Sequence, residues 1–297
     1  MDHPDSPVNR LRQALQDECP LQVVGVPNAL CAKLAERAGF RCLYLSGAGV
    51  ANVSLGLPDL GMTTLEHVVQ DARRITAATD QPLLVDCDTG WETTSRIATT
   101  VTQMESAGVA AIHLEDQAEP KRCGHRPGKR LVSVDQMRDR LKAVTDARQG
   151  NLAIMARTDA AADEGVDAAI DRACKYVAAG ADLIFAEALT EADQFRQFCA
   201  AVDAPVLANM TEFGRSPLLS TELLNALGVR MVLYPLTAMR MMNAAAERAY
   251  LTLRSDGIQT ELLEGMQTRE ELYELLDYYT YEKQIDADLS NSTRSEE

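Results

Sequence analysis

At 297 residues, with 46% hydrophobic and 25% charged side chains, the chain can bury a sizeable core, and α/β barrels of this length commonly form one domain. A net charge of −15 opposes nucleic acid and anionic membranes as partners, because both need a basic surface, but it permits a small anionic substrate wherever basic residues concentrate. The seven cysteines (Cys19, Cys31, Cys42, Cys87, Cys123, Cys174, Cys199) lack paired spacing, no apolar run reaches a membrane span, and Met1-Asp2-His3-Pro4-Asp5 has no basic-then-apolar layout, so a reducing, cytoplasmic location is expected.

Short apolar, β-branched runs recur at 21–26, 42–46, 82–88, 110–116, 152–158, 181–187, 205–210 and 230–235, each followed by a stretch of helical length. Their near-continuous hydrophobicity suits strands buried on both faces of a parallel sheet. Thr63…Glu66 and Ser133…Gln136 have capping-box spacing, and Asp167 precedes an Ala-rich helix. Gly39, Gly108 and Gly180 stand just before strands, where a helix C-terminus wants a residue tolerant of positive φ. Eight such units predict an α/β fold of the (β/α)8 TIM-barrel type. A doubly wound open sheet is the alternative, but no G-x-G-x-x-G follows the first run.

Two more helices are predicted beyond the eighth strand, at 237–254 and 268–281. The second carries a Thr268…Glu271 capping box and an apolar stripe of Leu272, Leu275, Leu276 and Tyr279. A closed barrel has no place for it, so a neighbouring subunit is its expected partner. The expected organisation is one domain over 1–297, with the barrel at 21–254, a helical extension at 258–285, and polar, mobile ends at 1–8 and 286–297.

In a barrel, chemistry gathers at the C-terminal strand ends. Those positions read Ser46-Gly47-Ala48-Gly49, Asp86-Cys87-Asp88, Glu115-Asp116, Arg157-Thr158-Asp159, Glu187 and Asn209-Met210-Thr211. Strand alternation sends Asp86 and Asp88 to one face and Cys87 away. A lone D-x-D is as often plain strand-end polarity. The flanking acids favour a site for Mg²⁺, with Glu115 joining through a water. Zinc is disfavoured, since no Cys/His set has ligand spacing.

The segment Lys121-Arg122-Cys123-Gly124-His125-Arg126-Pro127-Gly128-Lys129-Arg130 surrounds one thiol with cations in an acidic protein. Such neighbours depress a thiol pKa and attract carboxylates, making Cys123 a candidate acid–base group, although charge runs are more often solvated loops. The other six cysteines read as small buried hydrophobes. Ser46-Gly47-Ala48-Gly49 offers backbone N–H groups to an anion, a weak signal by itself. Arg157, ending an apolar strand inside a mouth, calls for an anionic partner. Tyr44 points either into the mouth or into the core. His113 reads as a core histidine and His67 as a helix-surface residue.

Together these residues resemble the isocitrate lyase/phosphoenolpyruvate mutase superfamily, most closely its methylisocitrate-cleaving branch. The similarity runs over nearly the whole chain, from Leu21-Gln22-Val23-Val24-Gly25 to Gln267-Thr268-Arg269-Glu270-Glu271-Leu272-Tyr273. Its most specific marker is Lys121-Arg122-Cys123-Gly124-His125, which matches the K-[KR]-C-G-H lyase signature that phosphonomutase-type members lack. Asn209-Met210-Thr211-Glu212-Phe213-Gly214 looks like the N-x-T-E-F-G of the methylisocitrate branch. The resemblance implies Mg²⁺ (with Mn²⁺ able to substitute) at Asp86 and Asp88. It also implies substrate contacts at Ser46, Gly47, Ala48, Cys123, Gly124, His125, Arg157, Glu187, Asn209, Met210, Thr211, Arg240 and Arg269. The implied activity is cleavage of 2-methylisocitrate, a small polycarboxylate, to pyruvate and succinate, with Cys123 protonating carbon and either Tyr44 or a metal-linked carboxylate as base. The implied assembly is a homotetramer whose terminal helices swap between neighbours. Isocitrate, dimethylmalate and oxaloacetate are alternative substrates; a phosphonomutase or a non-catalytic barrel is further off. Two departures from the family pattern stand out: Ala48 replaces a usual glycine, and Cys87 a usual small residue. The backbone contact at Ala48 survives only with negative φ there.

Overall fold

Eight parallel strands close into a barrel in sequence order: β1 Leu21–Gly25, β2 Cys42–Leu45, β3 Leu83–Asp86, β4 Ala111–Glu115, β5 Ala153–Thr158, β6 Leu183–Ala186, β7 Val206–Asn209 and β8 Met231–Tyr234. The computed structural model describes residues 5–91, 94–126 and 128–294; residues 1–4 and 295–297, parts of the expected polar ends at 1–8 and 286–297, and Pro127 of the basic segment lie outside the described residues. β8 returns to β1 with Leu21 opposite Met231 and Val23 opposite Leu233, which seals the ring.

Alternation along the strands separates two apolar layers. One face of each strand packs outward against the helices: Leu43, Val85, Cys87, Ile112, Ile154 and Val232 meet Val69, Val101, Leu141, Tyr176 and Phe198. The other face points inward, with Leu21, Val23, Cys42, Leu84, Ala111, Met155, Leu183, Leu207 and Met231 filling the lower barrel. Helix α1, Pro7–Asp17, contributes Val8, Leu11 and Ala14 to this inner layer. Sequence reading missed it, placing 1–8 in a mobile end; Ser6 caps it by accepting from the Asn9 N–H, and Pro7 stands at its first position.

The barrel helices are α2 Ala29–Arg37, α3 Leu65–Thr76, α4 Thr94–Ser106, α5 Val134–Ala147, α6 Val166–Ala178, α7 Ala192–Ala201 and α8 Thr221–Ala226. The Ser133–Gln136 capping box forms as expected. The box on α3 is shifted by one residue, to Thr64 and His67, because the imidazole Nδ1 accepts the Thr64 N–H where a Glu side chain was expected. His67 is therefore a cap as well as a surface residue. Gly39, Gly108 and Gly180 all adopt positive φ. Asp167 lies within the first turn of α6, which Gly165 caps.

The chain divides into two compact units, residues 1–240 and 241–297. Helix α9, Thr237–Asp256, spans the division, and the second unit continues through α10, Arg269–Leu275, and α11, Tyr278–Arg294. The single helix expected at 268–281 is thus two. Its Thr268–Glu271 box forms, but Asp277 takes a left-handed φ of 54° and breaks the run. The tail after 286, expected to be mobile, is helical to Arg294. No described helix is long and apolar enough to cross a membrane.

Candidate active site

The inward-facing rows change character as they climb. Leu84 gives way to Asp86, Ala111 to His113 and Glu115, Met155 to Arg157, and Leu183 to Phe185 and Glu187, each two residues on. A cavity of about 80 Å³ opens above them. Its lining includes eleven expected residues: Ser46, Ala48, Asp86, Glu115, Cys123, Gly124, His125, Arg157, Glu187, Asn209 and Thr211. Tyr44 lines it as well, which resolves that residue toward the mouth.

Asp86 is fixed from three sides. Its Oδ2 accepts the Gly47 N–H at 3.1 Å, its Oδ1 accepts the Asp88 N–H at 3.1 Å, and His113 Nε2 stands 3.4 Å from Oδ1. Burial pushes this carboxyl up, but His113, Lys121 and Arg157 outweigh burial and hold it below the ordinary range. Asp88 sits in a left-handed backbone, φ 47°, and Lys121 Nζ lies 2.8 Å from its Oδ1. Burial and the Asp86 charge push Asp88 up against the pull of Lys121. A Cβ on Gly47 would sit 3.2 Å from Asp86 Oδ2 and 3.5 Å from Asp88 Oδ1, so both acids crowd one point.

That crowding is the electrostatic setting a hard cation relieves. Glu115 adds a second sign: its Oε1 is buried and accepts no hydrogen bond within the described chain, and burial pushes its carboxyl well above the ordinary value against the pull of Arg157. Among the described residues no three acidic, histidine or cysteine side chains form a ligand cluster. An ion on the Asp86–Asp88 pair therefore needs water or substrate oxygens to complete its shell, the usual habit of Mg²⁺. The residues fit such an ion.

Ser46-Gly47-Ala48-Gly49 forms a helical turn rather than an open nest, and one of its N–H groups is already committed to Asp86. Ala48 is not among the positive-φ residues, so the condition for its backbone contact is met. Cys87 faces the outer core, as alternation requires, and burial raises its thiol pKa well above the ordinary value. Cys31 and Cys42 are buried too, but Cys19 and Cys174 are exposed and Cys199 is half-buried, contrary to the uniform burial expected.

Arg157 has the anionic company its position demanded. Its Nε and Nη2 donate to Asp159 at 3.0 and 3.2 Å, while Glu115 lies 3.4 Å and Glu187 3.8 Å away. Its guanidinium also covers the Phe185 ring at 4.9 Å. Glu187 accepts from Asn209 Nδ2 at 3.2 Å and pairs with His125 Nε2 at 2.8 Å. Burial pushes Glu187 up, but Arg157 and His125 prevail and keep it ionised. Because His125 Nδ1 accepts the Arg215 N–H at 2.9 Å, Nε2 must carry the hydrogen that faces Glu187.

Residues 121–125 of the basic segment line the cavity beside this cluster. A Cβ on Gly124 would fall 2.4 Å from Arg157 Nη2 and 2.5 Å from Glu187 Oε1, so only glycine lets the backbone settle there. Cys123 lines the cavity and is exposed to solvent.

Several expected residues stand elsewhere. Met210 points into the outer core, where its sulfur accepts the Leu219 N–H at 3.4 Å; alternation puts Asn209 and Thr211 inside and Met210 outside. Arg240 is exposed, 3.5 Å from Glu212 and over the Phe213 ring. Arg269 opens α10 in the second unit. Conversely, the lining includes residues not expected there: Asp59, Lys121, Phe185, Leu233, Pro235 and Leu236. Phe185 and Leu233 were legible, being two residues below Glu187 and Pro235 on the same face. Asp59 left no sequence signal. His113, expected as plain core, supports the site by hydrogen bonding the Tyr44 hydroxyl at 2.9 Å beside Asp86.

A family model described as phosphoenolpyruvate phosphomutase matches residues 11–254. The chain belongs to the phosphoenolpyruvate phosphomutase family. Within this family it is 56% identical to the 2-methylisocitrate lyase of Shewanella oneidensis, over 93% of this chain and 95% of that one. Among solved structures it resembles 2,3-dimethylmalate lyase, a member of the PEP mutase/isocitrate lyase superfamily, with a TM-score of 0.87, 33% identity, and 96% and 95% of the two chains covered. It also resembles oxaloacetate acetylhydrolase in complex with 3,3-difluorooxalacetate, with a TM-score of 0.89, 31% identity, and coverage of 97% and 98%.

Proposed function

We propose that this chain is a carbon–carbon lyase cleaving 2-methylisocitrate to pyruvate and succinate, a step of the methylcitrate cycle of propionate catabolism, with Mg²⁺ as its cofactor and Mn²⁺ as a substitute. One juxtaposition carries the proposal: Asp86 and the thiol-bearing loop meet at one small cavity, with Asp88 tied to the same loop through Lys121, in a chain 56% identical to a 2-methylisocitrate lyase. Asp86 and Asp88 would hold the ion, with Glu115 reaching it through a water, and Mg²⁺ there supplies Lewis acidity toward a hydroxyl and its neighbouring carboxylate.

The residues of the chain do the rest. Burial, and then the Asp86 charge, push the Tyr44 hydroxyl well above its ordinary pKa, so Tyr44 acts as a hydrogen-bond donor and the proton of the substrate hydroxyl passes to a carboxylate of the mouth. The bond between the hydroxyl-bearing carbon and its neighbour then breaks. The alcohol carbon becomes the ketone of pyruvate, and the electron pair passes into the succinate carboxylate as an enolate. Arg157, His125, Asn209 and Thr211 ring the space where that charge develops and stabilise it. Cys123 donates its thiol proton to the carbon, which completes succinate and leaves a thiolate to be reprotonated. Cys123 already lines the cavity although its thiol is exposed, so the sulfur would turn inward onto the carbon once substrate is bound.

Turnover on 2-methylisocitrate compared with isocitrate and 2,3-dimethylmalate tests the substrate. A single methyl group is worth only about 1–3 kcal/mol in a pocket, so the expected outcome is a measurable preference rather than an absolute one. Faster turnover of either rival overturns the assignment. Loss of activity in chelator and its recovery with Mg²⁺ test the cofactor.

The proposed setting is the cytoplasm, with neither nucleic acid nor membrane as partner. A homotetramer is also proposed, supported by exposed Tyr250, Leu251, Ile258, Leu263 and Tyr281 in the second unit, apolar surface of the kind a second copy covers. A monomer mass by light scattering would refute it.

A further inference from the structure

We propose that Lys129 is the latch of the loop over the mouth and, through Asp159, the positioning residue for Arg157. An acidic protein has ample surface carboxylate for a loop lysine, yet the side chain of this one is 1% exposed. Its Nζ donates to the Gly124 carbonyl and stands 3.5 Å from Asp159 Oδ1. Gly124 is the point at which the loop presses on Arg157 and Glu187.

Asp159 is the other half of the device. It is fully buried, its own N–H donates to Asp116 Oδ1 at 2.9 Å, and its two oxygens take both Nε and Nη2 of Arg157. Lys129 therefore ties the loop tip to the anchor of the cation that faces substrate. A buried ammonium is tolerated only when paired, so the loop gains its closed position from this contact and loses it when the pairing goes. Asp159 also holds one negative charge against two cations, Lys129 and Arg157. The beginning of the loop has its own tie, Lys121 to Asp59 and Asp88, but that one touches the metal pair. Lys129 does not, and its effect is separable.

The kinetic arm rests on the lyase proposal; the structural arm does not. In the full chain, Lys129→Met and Lys129→Arg are compared with wild type by trypsin cleavage after the exposed Arg122, without substrate and under native conditions. Lys129→Met is expected to speed cleavage by roughly 10-fold or more, since cutting tracks the open population. KM for 2-methylisocitrate should rise by a similar factor of roughly 10, with kcat changed less, because only the closed fraction binds. Lys129→Arg should restore much of both. A folded Lys129→Met protein with wild-type cleavage and KM overturns the proposal, as does a change in melting temperature alone. If Lys129→Met does not fold, Asp159→Asn is read by the same cleavage assay, and unchanged cleavage there overturns it equally. Should wild type fail to turn over 2-methylisocitrate, the lyase proposal falls while the cleavage result still decides the latch.

Discussion

The lower and upper halves of the barrel interior are built on the same inward-facing rows and have opposite chemistry. Below, Leu21, Val23, Leu84, Met155, Leu207 and Met231 fill the space with apolar volume, and α1 adds Val8, Leu11 and Ala14. Above, the same rows present Asp86, His113, Glu115, Arg157 and Glu187, all buried. Each charge there gives up water and is tolerated only because another stands against it. Direction is set by alternation, and chemistry by height along the strand. The apolar half supplies stability that lets the ionic half hold groups in crowded, strained positions such as Asp88, whose φ is 47°.

If the division is real, substitutions above and below should fail in different ways. The largest effect belongs above. Cys123→Ser should cut kcat by roughly 10²–10⁴, the range for loss of a general acid, while thermal unfolding stays near wild type, since the thiol is exposed. Near-normal turnover would remove Cys123 from the chemistry. Below, Leu84→Ala should lower unfolding free energy by about 2–5 kcal/mol in denaturant titrations, with KM unchanged. A change in KM there would show the two halves to be coupled.

The boundary between them can be probed by pH. Burial, against the opposing pull of Asp86, lowers the His113 pKa to about 4 from an ordinary value of 6.5. Between those values the unfolded chain binds the extra proton, so stability rises with pH across that window and is lost as pH falls through it. For the metal-free protein the contribution is about 3 kcal/mol at one pKa unit per 1.36 kcal/mol. His113→Gln should flatten the slope of unfolding free energy between pH 6.5 and 4.5. An unchanged slope would assign it to other groups.

The barrel was legible because six of the eight strands are buried throughout and all eight read as apolar runs; observed strands fall inside the expected limits, trimmed at one or both ends. The strand-end acids and Arg157 were legible for the related reason that ionised groups seldom end such runs without a role. Helix α1 was not, since its three buried residues are spaced among polar ones in a segment that resembles a tail. The α3 cap was misplaced by one because a histidine serves where the familiar pattern has Glu or Gln. Met210 was assigned inward by family likeness against its own alternation. Asp59 and the Lys129–Asp159 tie were out of reach, because loop contacts across tens of residues leave no periodic trace.

The most direct test is a crystal structure with Mg²⁺, pyruvate and succinate bound. The cation should lie on Asp86 and Asp88 beside pyruvate, with the Cys123 sulfur about 3–3.5 Å from a succinate methylene carbon. A sulfur still turned to solvent above a fully closed loop, or a cation bound away from those two aspartates, would contradict the proposed chemistry.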